Sequence, residues 1–316
     1  MPLLYAAALE NGYTMATKVN DAPIVIEDMH GDNDLWRPKN VDRVFKGPIR
    51  LRQALIQSRN LVSVRLANEV GLEPLLEYFE HFGLNKSKQP NGLSVSLGAG
   101  LVTPLQLAHS FTVFTNQGTL EPVKWINHVV DKHGETLWDE ATIRAAEQQM
   151  LPLETKAQQQ VIKPETAYMI TNGLRDVIRY GTGRGAKVLK RDDISGKTGT
   201  SNDQIDAWFS GFNGDLVTTV WVGHDEAQSK QLKGMGSKVA LPIWVDFMRS
   251  ALSQKLSPVE APDTIIRLRI NRDTGLPVLD NLENSMFEIF AKDNLPQIPR
   301  EEKVVDDDVS LRDELF

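Results

Sequence analysis

The stretch Ile194–Thr200, which reads ISGKTGT, decides how this sequence is interpreted. Lys197 supplies a fixed positive charge, and the glycine after Thr198 lets a ligand approach the backbone closely. The hydroxyl groups of Thr198 and Thr200 supply hydrogen bonds. On an exposed strand edge, this combination suits a small anionic substrate, such as a peptide that ends in a carboxylate.

A phosphate-binding loop is the first alternative, because Gly196-Lys197-Thr198 also ends the pattern G-x-x-x-x-G-K-[ST]. That pattern requires a glycine five residues before Gly196, and the residue there is Arg191. No helical pattern follows Thr198, so the phosphate-binding loop is rejected. On its own the tetrapeptide could still be an ordinary turn between strands, since glycine is common in turns.

Composition places the chain among ordinary globular proteins and excludes several functions. Its 316 residues are enough for one large or two small domains. They are 41% hydrophobic and 24% charged, which is ordinary for a globular protein. The net charge of −7 argues against nucleic acid as a partner. No apolar run approaches the ~18 residues that span a membrane, and no basic signal-peptide start is visible. With no cysteine and no metal-ligand spacing among the histidines, we expect neither a metal nor another cofactor.

Apolar spacing and turn signals predict a mixed chain of helices and strands. Helices are predicted over residues 2–11, 49–70 with a break near 58–60, 72–82, 103–115, 163 onward and 240–252. Thr103 and Pro104 are predicted to be the N-cap and the first residue of their helix. Strands are predicted over residues 207–212 and 216–224, joined as a hairpin by Asn213-Gly214-Asp215. A second hairpin is predicted over residues 123–137 and a further strand over residues 265–270. Loops are predicted over residues 96–100, 141–160 and 181–185. Residues 181–183 of the last one are predicted to be a structural loop at the rim of a cleft.

A second motif, Ser58-x-Asn60, lies between two predicted helices. Serine and asparagine at a helix break can be simple caps. Here they precede Lys197-Thr198-Gly199, and penicillin-recognising serine acyltransferases use the motifs S-x-x-K, S-x-N and K-T-G in that order. The second and third motifs are therefore present, in order, and the order favours a catalytic site over two caps.

The flanking sequence resembles class A penicillin-binding proteins, the bifunctional peptidoglycan synthases, and in particular their 1a type. The resemblance covers nearly the whole chain and is carried by residues 48–55, 96–100, 181–183 and 206–211. It implies an α/β (α+β) fold of the penicillin-binding and serine β-lactamase kind, with an antiparallel sheet flanked by helices and truncated at the N-terminus. It also implies a transpeptidase domain over residues 1–260, incomplete at its N-terminus, and a C-terminal appendage over residues 261–316 with a disordered acidic tail.

The first motif of the family, S-x-x-K, is missing. In the family, the stretch that resembles Pro2–Ala8 directly follows the lysine of that motif, which puts Met1 at the lysine position and the nucleophilic serine upstream. We therefore expect the chain to lack the nucleophile, the proximal base, the preceding strands, the glycosyltransferase domain and the membrane anchor. A predicted helix that begins at residue one without a cap is an independent indication of this cut.

The resemblance implies a serine-type D,D-transpeptidase that cross-links peptidoglycan stem peptides ending in D-Ala-D-Ala and binds β-lactams in the intact protein. It assigns catalytic roles to Ser58, Asn60 and Lys197 and substrate binding to Thr198, Gly199 and Thr200. Contact with a membrane is expected only through the missing anchor, at the periplasmic face of the bacterial inner membrane. As written, the chain is expected to be inactive.

Two alternatives stay open beside a truncated transpeptidase. One is a non-catalytic fragment that binds peptidoglycan or a protein partner, and the other is a hydrolase of the same fold, such as a carboxypeptidase or β-lactamase. The flanking runs and the C-terminal appendage argue against the hydrolase. The reading frame upstream of Met1 distinguishes the first alternative from the truncated enzyme.

Overall fold

The computed structural model describes residues 1–27, 35–139, 141–143, 145, 158–201, 205–224, 232, 234–278 and 283–296. The predicted disorder of the acidic tail lies outside these residues, as does most of the predicted loop over residues 141–160. None of the described helices combines the length and the apolar character that crossing a bilayer requires.

The described chain contains both helices and strands, several of each in consecutive runs. The α-helices are α1 (Pro2–Glu10), α2 (Leu51–Gln57), α3 (Asn60–Val70), α4 (Leu72–His81), α5 (Pro104–Thr115), α6 (Pro164–Tyr180) and α7 (Ala240–Ala251). The strands are β1 (Lys18–Asp21), β2 (Ile26–Glu27), β3 (Leu35–Trp36), β4 (Gly47–Arg50), β5 (Thr119–Leu120), β6 (Val129–Val130), β7 (Thr136–Trp138), β8 (Gln159–Gln160), β9 (Ser195–Thr200), β10 (Ala207–Phe212), β11 (Val217–Val222), β12 (Ile265–Asn271) and β13 (Ser285–Ala291). Three short 3₁₀ helices cover Lys86–Lys88, Leu93–Leu97 and Arg184–Leu189.

The predicted helix boundaries that rest on capping chemistry are confirmed. α5 begins after Thr103, whose hydroxyl accepts from the Gln106 backbone N–H over 3.1 Å while the Gln106 side chain accepts from the Thr103 N–H. Proline at the first helical position costs no hydrogen bond there. The predicted break within residues 49–70 is also confirmed, because α2 ends at Gln57 and α3 begins at Asn60.

Three predicted loops are partly wrong. The loop predicted over residues 181–185 ends earlier, because Arg184–Leu189 forms a 3₁₀ helix. Leu93–Leu97 forms a 3₁₀ helix that ends at Gly98 with a φ of +87°, so the predicted loop over residues 96–100 begins inside it. A 3₁₀ helix has three residues per turn and leaves no 3.6-residue pattern in the sequence. Gln159–Gln160, at the end of the second predicted loop, pairs with β5 in a short antiparallel ladder.

The sheet that carries Lys197 has the order β11–β10–β9 and is antiparallel throughout. β10 and β11 are the predicted hairpin, and Lys197 pairs with Ser210 across β9 and β10. Among the described residues β9 lies at the edge of this sheet. Its Lys-Thr-Gly segment can therefore face a ligand.

Helices cover both faces of the sheet, as predicted. On one face Phe212 packs against Phe111 and Phe114 of α5, with ring centroids 6.2 and 6.3 Å apart. On the other face Phe209 meets Trp244 of α7 at 4.9 Å. The antiparallel sheet is thus held between helices by aromatic contacts.

Helix α1 is buried along almost its whole length. Every residue from Pro2 to Leu9 is buried, in one hydrophobic core with residues of α2, α3 and α6. A helix that is apolar on all sides is stable only when neighbours surround it. This buried helix places the residue that precedes it, Met1, beside the turn that holds Ser58.

The C-terminal hairpin of β12 and β13 is joined to α2 by buried charges. Glu288 of β13 accepts from the Arg52 guanidinium, with Nε–Oε2 at 2.8 Å, and both side chains are at most 5% exposed. The same guanidinium reaches Asp176 and Asn172 of α6 at 2.7 and 2.8 Å. Arg52 therefore ties three elements together, and the hairpin stabilises the helix that ends at Ser58.

Candidate active site

Lys197 and Ser58, which lie far apart in sequence, meet in one contact. The Lys197 Nζ donates to the Ser58 Oγ over 2.8 Å and to the Thr198 carbonyl over 3.1 Å. Lys197 is 5% exposed, and Ser58 is half-buried. The structure thus brings the motif on the edge strand to the motif between α2 and α3.

Burial lowers the pKa of the Lys197 ammonium from 10.5 to about 8. Desolvation disfavours the charged form of a buried lysine. The group remains mostly charged at neutral pH, and it loses its proton far more readily than a surface lysine does. It can therefore hold an anion and also exchange a proton with the neighbouring hydroxyl.

The lowered pKa of Lys197 predicts a pH dependence of stability. Between about pH 8 and 10.5 the unfolded chain binds a proton at this residue that the folded chain has lost. The free energy of unfolding therefore rises with pH across that window, by up to about 3 kcal/mol from this residue. We expect urea unfolding to show this rise as a difference between the unaltered chain and Lys197→Met. Parallel pH profiles of the two chains would contradict it.

The turn that carries Ser58 has an unusual backbone and a charged anchor. Ser58 ends α2 with a φ of +56°, in the left-handed region that a serine rarely adopts. The next residue, Arg59, is buried and pairs with Asp21 at 2.8 Å and Asp42 at 2.7 Å. This ion-pair network holds the turn, and with it Ser58, against the rest of the domain.

Asn60 is half-buried and opens α3. Its amide nitrogen donates to the Lys39 carbonyl over 2.9 Å. The side chain is therefore oriented by the segment around Lys39, and its carbonyl oxygen is the atom through which it could orient a substrate amide.

Met1 also lies next to Ser58. The Ser58 hydroxyl lies 3.3 Å from the Met1 sulfur, a weak hydrogen-bond acceptor. Ser58 thus lies between the amine of Lys197 and the side chain that precedes α1. The sequence placed Met1 at the position of the first-motif lysine, and the structure puts its side chain next to Ser58.

The two threonine hydroxyls of the edge strand each have a partner. The Thr198 Oγ1 lies 2.8 Å from the Thr182 Oγ1, and the Thr200 Oγ1 accepts from the Gly236 backbone N–H over 3.0 Å. A Cβ on Gly199, between them, would lie 3.1 Å from the Cβ of Trp208. Two hydroxyls two residues apart on a strand point to the same side, so both can reach one small anion.

Two residues that contribute to the site, Arg59 and Thr182, were not predicted from the sequence. In the sequence, Arg59 is the variable residue of the S-x-N motif and carries no predicted role. In the structure, its guanidinium forms ion pairs with the carboxylates of Asp21 and Asp42. Thr182 was assigned to a structural loop, although its hydroxyl touches that of Thr198. The glycines on either side of Thr182 were the available signal, because they allow the turn to approach other backbone closely.

An edge strand with Lys-Thr-Gly that faces a Ser-x-Asn turn defines the penicillin-recognising class of serine acyltransferases. The family model described as "Penicillin binding protein transpeptidase domain" matches residues 2–249. The chain therefore belongs to the penicillin-binding protein transpeptidase family.

Named relatives are of the 1A type. The chain is 37% identical to penicillin-binding protein 1A of Pseudomonas aeruginosa, over 93% of its own length and 40% of that protein. It is 44% identical to the protein of that name from Neisseria cinerea, over 79% of the chain and 30% of that protein. The chain thus spans well under half the length of the curated relatives it matches. Within that span it is similar to the C-terminal region of class A proteins.

Solved structures agree with the sequence matches. Penicillin-binding protein 1A from Haemophilus influenzae superposes with a TM-score of 0.83 at 30% identity, covering 94% of this chain and 47% of that one. PonA1 from Mycobacterium tuberculosis has a TM-score of 0.67 at 20% identity, covering 89% of this chain and 73% of that one, which shows a shared fold. The predicted fold class is confirmed.

Proposed function

We propose that these residues form part of a serine-type D,D-transpeptidase cleft, which recognises peptidoglycan stem peptides ending in D-Ala-D-Ala and the β-lactams that resemble them. The observation that carries the proposal is the 2.8 Å contact between Lys197 and Ser58, because it joins the two motifs into one site. A solved relative, the PonA1 protein, is described in complex with penicillin V.

Each proposed role follows from the chemistry of the group. The charge of Lys197 attracts the terminal carboxylate of the substrate, and Thr198 and Thr200 donate hydrogen bonds to it. Ser58, in contact with Lys197, passes a proton towards the leaving group. Asn60 orients the substrate amide through its carbonyl oxygen. The Thr200 backbone N–H serves as one donor to the oxyanion.

The proposed cleft also needs a nucleophile. No Ser-x-x-Lys sequence occurs among the 316 residues, and Met1 lies where we expect the lysine of that motif beside Ser58. Acyl transfer needs a hydroxyl with an adjacent base. We therefore propose that a polypeptide of these residues alone binds substrate analogues without forming an acyl-enzyme.

Fluorescent penicillin tests recognition and acylation in one experiment. When the 316-residue chain is added in native buffer, we expect the fluorescence anisotropy of the labelled penicillin to rise. A peptide ending in D-Ala-D-Ala is expected to reverse this rise. We expect no fluorescent band on a denaturing gel, because no covalent bond forms. Penicillin-binding protein 1A of Pseudomonas aeruginosa serves as the control for a covalent band. A band that unlabelled drug abolishes would contradict the missing nucleophile, and unchanged anisotropy would contradict recognition.

The wider setting belongs to the same proposal. We infer a transpeptidase domain over residues 1–260 and an appendage over residues 261–316, within a synthase at the periplasmic face of the bacterial inner membrane. The DNA sequence directly upstream of the Met1 codon tests this inference. A serine encoded three codons before Met1, in frame and with no intervening stop codon, is expected, and a stop codon would favour a non-catalytic binding protein.

A further inference from the structure

The hydroxyl oxygens of Thr198 and Thr200 each lie within hydrogen-bond distance of a group that can donate to them. Each threonine oxygen has a partner that can donate to it, from Thr182 in one case and from the Gly236 backbone N–H in the other. A hydroxyl that accepts one hydrogen bond still has its own proton to donate. The Thr200 proton is therefore available to a ligand, and the Thr198 proton is available on the same side of β9 when Thr182 is the donor.

The loop that carries Thr182 is held in place by tight backbone packing. Thr182 follows Gly181, where a Cβ would lie 2.2 Å from the Ile56 carbonyl oxygen at the end of α2. The Gly181 and Gly183 N–H groups both donate to the Val177 carbonyl, at 3.0 and 3.1 Å. Thr182 is thus fixed between the helix that ends at Ser58 and the edge strand.

The second donor is fixed just as closely. A Cβ on the buried Gly236 would lie 2.3 Å from the Gly199 carbonyl oxygen and 2.5 Å from that of Trp208. The backbone at Gly236 therefore packs directly on β9 and β10, which directs its N–H at the Thr200 oxygen. The Gly236 N–H therefore cannot move away without disturbing a packed backbone, and the backbone that carries Thr182 is fixed in the same way.

We propose that Thr182 is a positioning residue that turns the Thr198 hydroxyl into a donor, so that Thr198 and Thr200 together select a ligand with a terminal carboxylate over the matching carboxamide. This inference rests on the proposed function, because it concerns the same site. Thr182 does not touch the ligand and acts only through Thr198.

The direction of the hydrogen bonds explains the selection. Either hydroxyl of the Thr182–Thr198 pair could donate to the other. An anion beside Thr198 favours the order in which Thr182 donates to Thr198 and Thr198 donates to the anion, and each bond in such a chain strengthens the next. A carboxamide lacks the charge and offers donors of its own, so it gains less from this order.

The test compares Thr182→Val with Thr182→Ser in the full chain. The probes are a peptide ending in D-Ala-D-Ala and the same peptide with a C-terminal carboxamide, each competing with fluorescent penicillin. For Thr182→Val we expect the carboxylate peptide to bind about three- to tenfold more weakly while the carboxamide changes less than about twofold, since a hydrogen bond to a charged group is the stronger one. Thr182→Ser keeps the hydroxyl and is expected to restore the preference.

The outcomes separate this inference from the function on which it rests. If the unaltered chain binds neither penicillin nor either peptide, the proposed function is wrong and the inference is wrong with it. If the unaltered chain prefers the carboxylate and Thr182→Val keeps the full preference, only the inference is overturned. If both substitutions weaken both peptides equally, Thr182 has a structural role alone, and the inference is again overturned.

Discussion

Replacing Arg59 by methionine is expected to lower the free energy of unfolding by about 3–5 kcal/mol, the usual cost of removing one partner of a buried ion pair. Asp21 has no exposed surface and accepts from Arg59 over 2.8 Å, so the substitution leaves a buried carboxylate without its counter-charge. Methionine keeps much of the volume of the arginine stem. Urea unfolding at pH 7, monitored by tryptophan fluorescence, measures the loss.

Two controls make the Arg59 prediction specific. Arg249→Met removes an exposed pair with Asp246, whose side chains are 56% and 73% exposed, and we expect a loss below about 1 kcal/mol. A double variant, Asp21→Asn with Arg59→Met, removes the buried charge as well and should recover part of the loss. A loss for Arg59→Met no larger than that of Arg249→Met would show that the network does not hold the Ser58 turn.

Replacing Lys197 by methionine is expected to weaken binding of the D-Ala-D-Ala peptide by about 10- to 100-fold, the range for a lost hydrogen bond to a charged group. The substitution removes the buried ammonium beside Ser58 and nearly preserves its volume. The matched control is Lys190→Met, an exposed lysine at the end of the 3₁₀ helix Arg184–Leu189. It should leave the affinity unchanged.

The affinity of the unaltered chain should also depend on pH. The pKa of Lys197 is lowered to about 8, so the residue is charged below that pH and neutral above it. The peptide carboxylate stays ionised throughout, and its affinity should fall by up to about tenfold per pH unit above pH 8. Competition assays from pH 6 to 9.5 measure this fall. A flat profile, or a Lys197→Met chain with full affinity, would exclude Lys197 as the group that holds the anion.

The sequence predicted those parts of the fold that depend on local chemistry. The Thr103-Pro104 start of α5 and the Asn213-Gly214-Asp215 turn between β10 and β11 each have a known structural consequence within a few residues. The pairing of Ser58 with Lys197 was predicted by motif order and not by spacing. The 2.8 Å contact between Lys197 and Ser58 forms only when the sheet and the helices are assembled in the folded chain.

The remaining contacts of the site follow no spacing rule. Asp21 and Arg59 are joined by the packing of β1 against the α2–α3 turn. The contact between Thr182 and Thr198 arises because Gly181 lets α6 end directly against α2. Packing of this kind depends on the complete tertiary structure, so no pattern within one segment could reveal these partners.

The buried pair of Glu288 and Arg52 has a practical consequence for truncation. The family match ends at residue 249, which invites expression of a shorter polypeptide without the C-terminal hairpin. Such a polypeptide would lose Glu288 and leave the guanidinium of Arg52 with only Asp176 and Asn172. We therefore expect a stably folding polypeptide to extend beyond the boundary of the sequence family, at least as far as Ala291, where β13 ends.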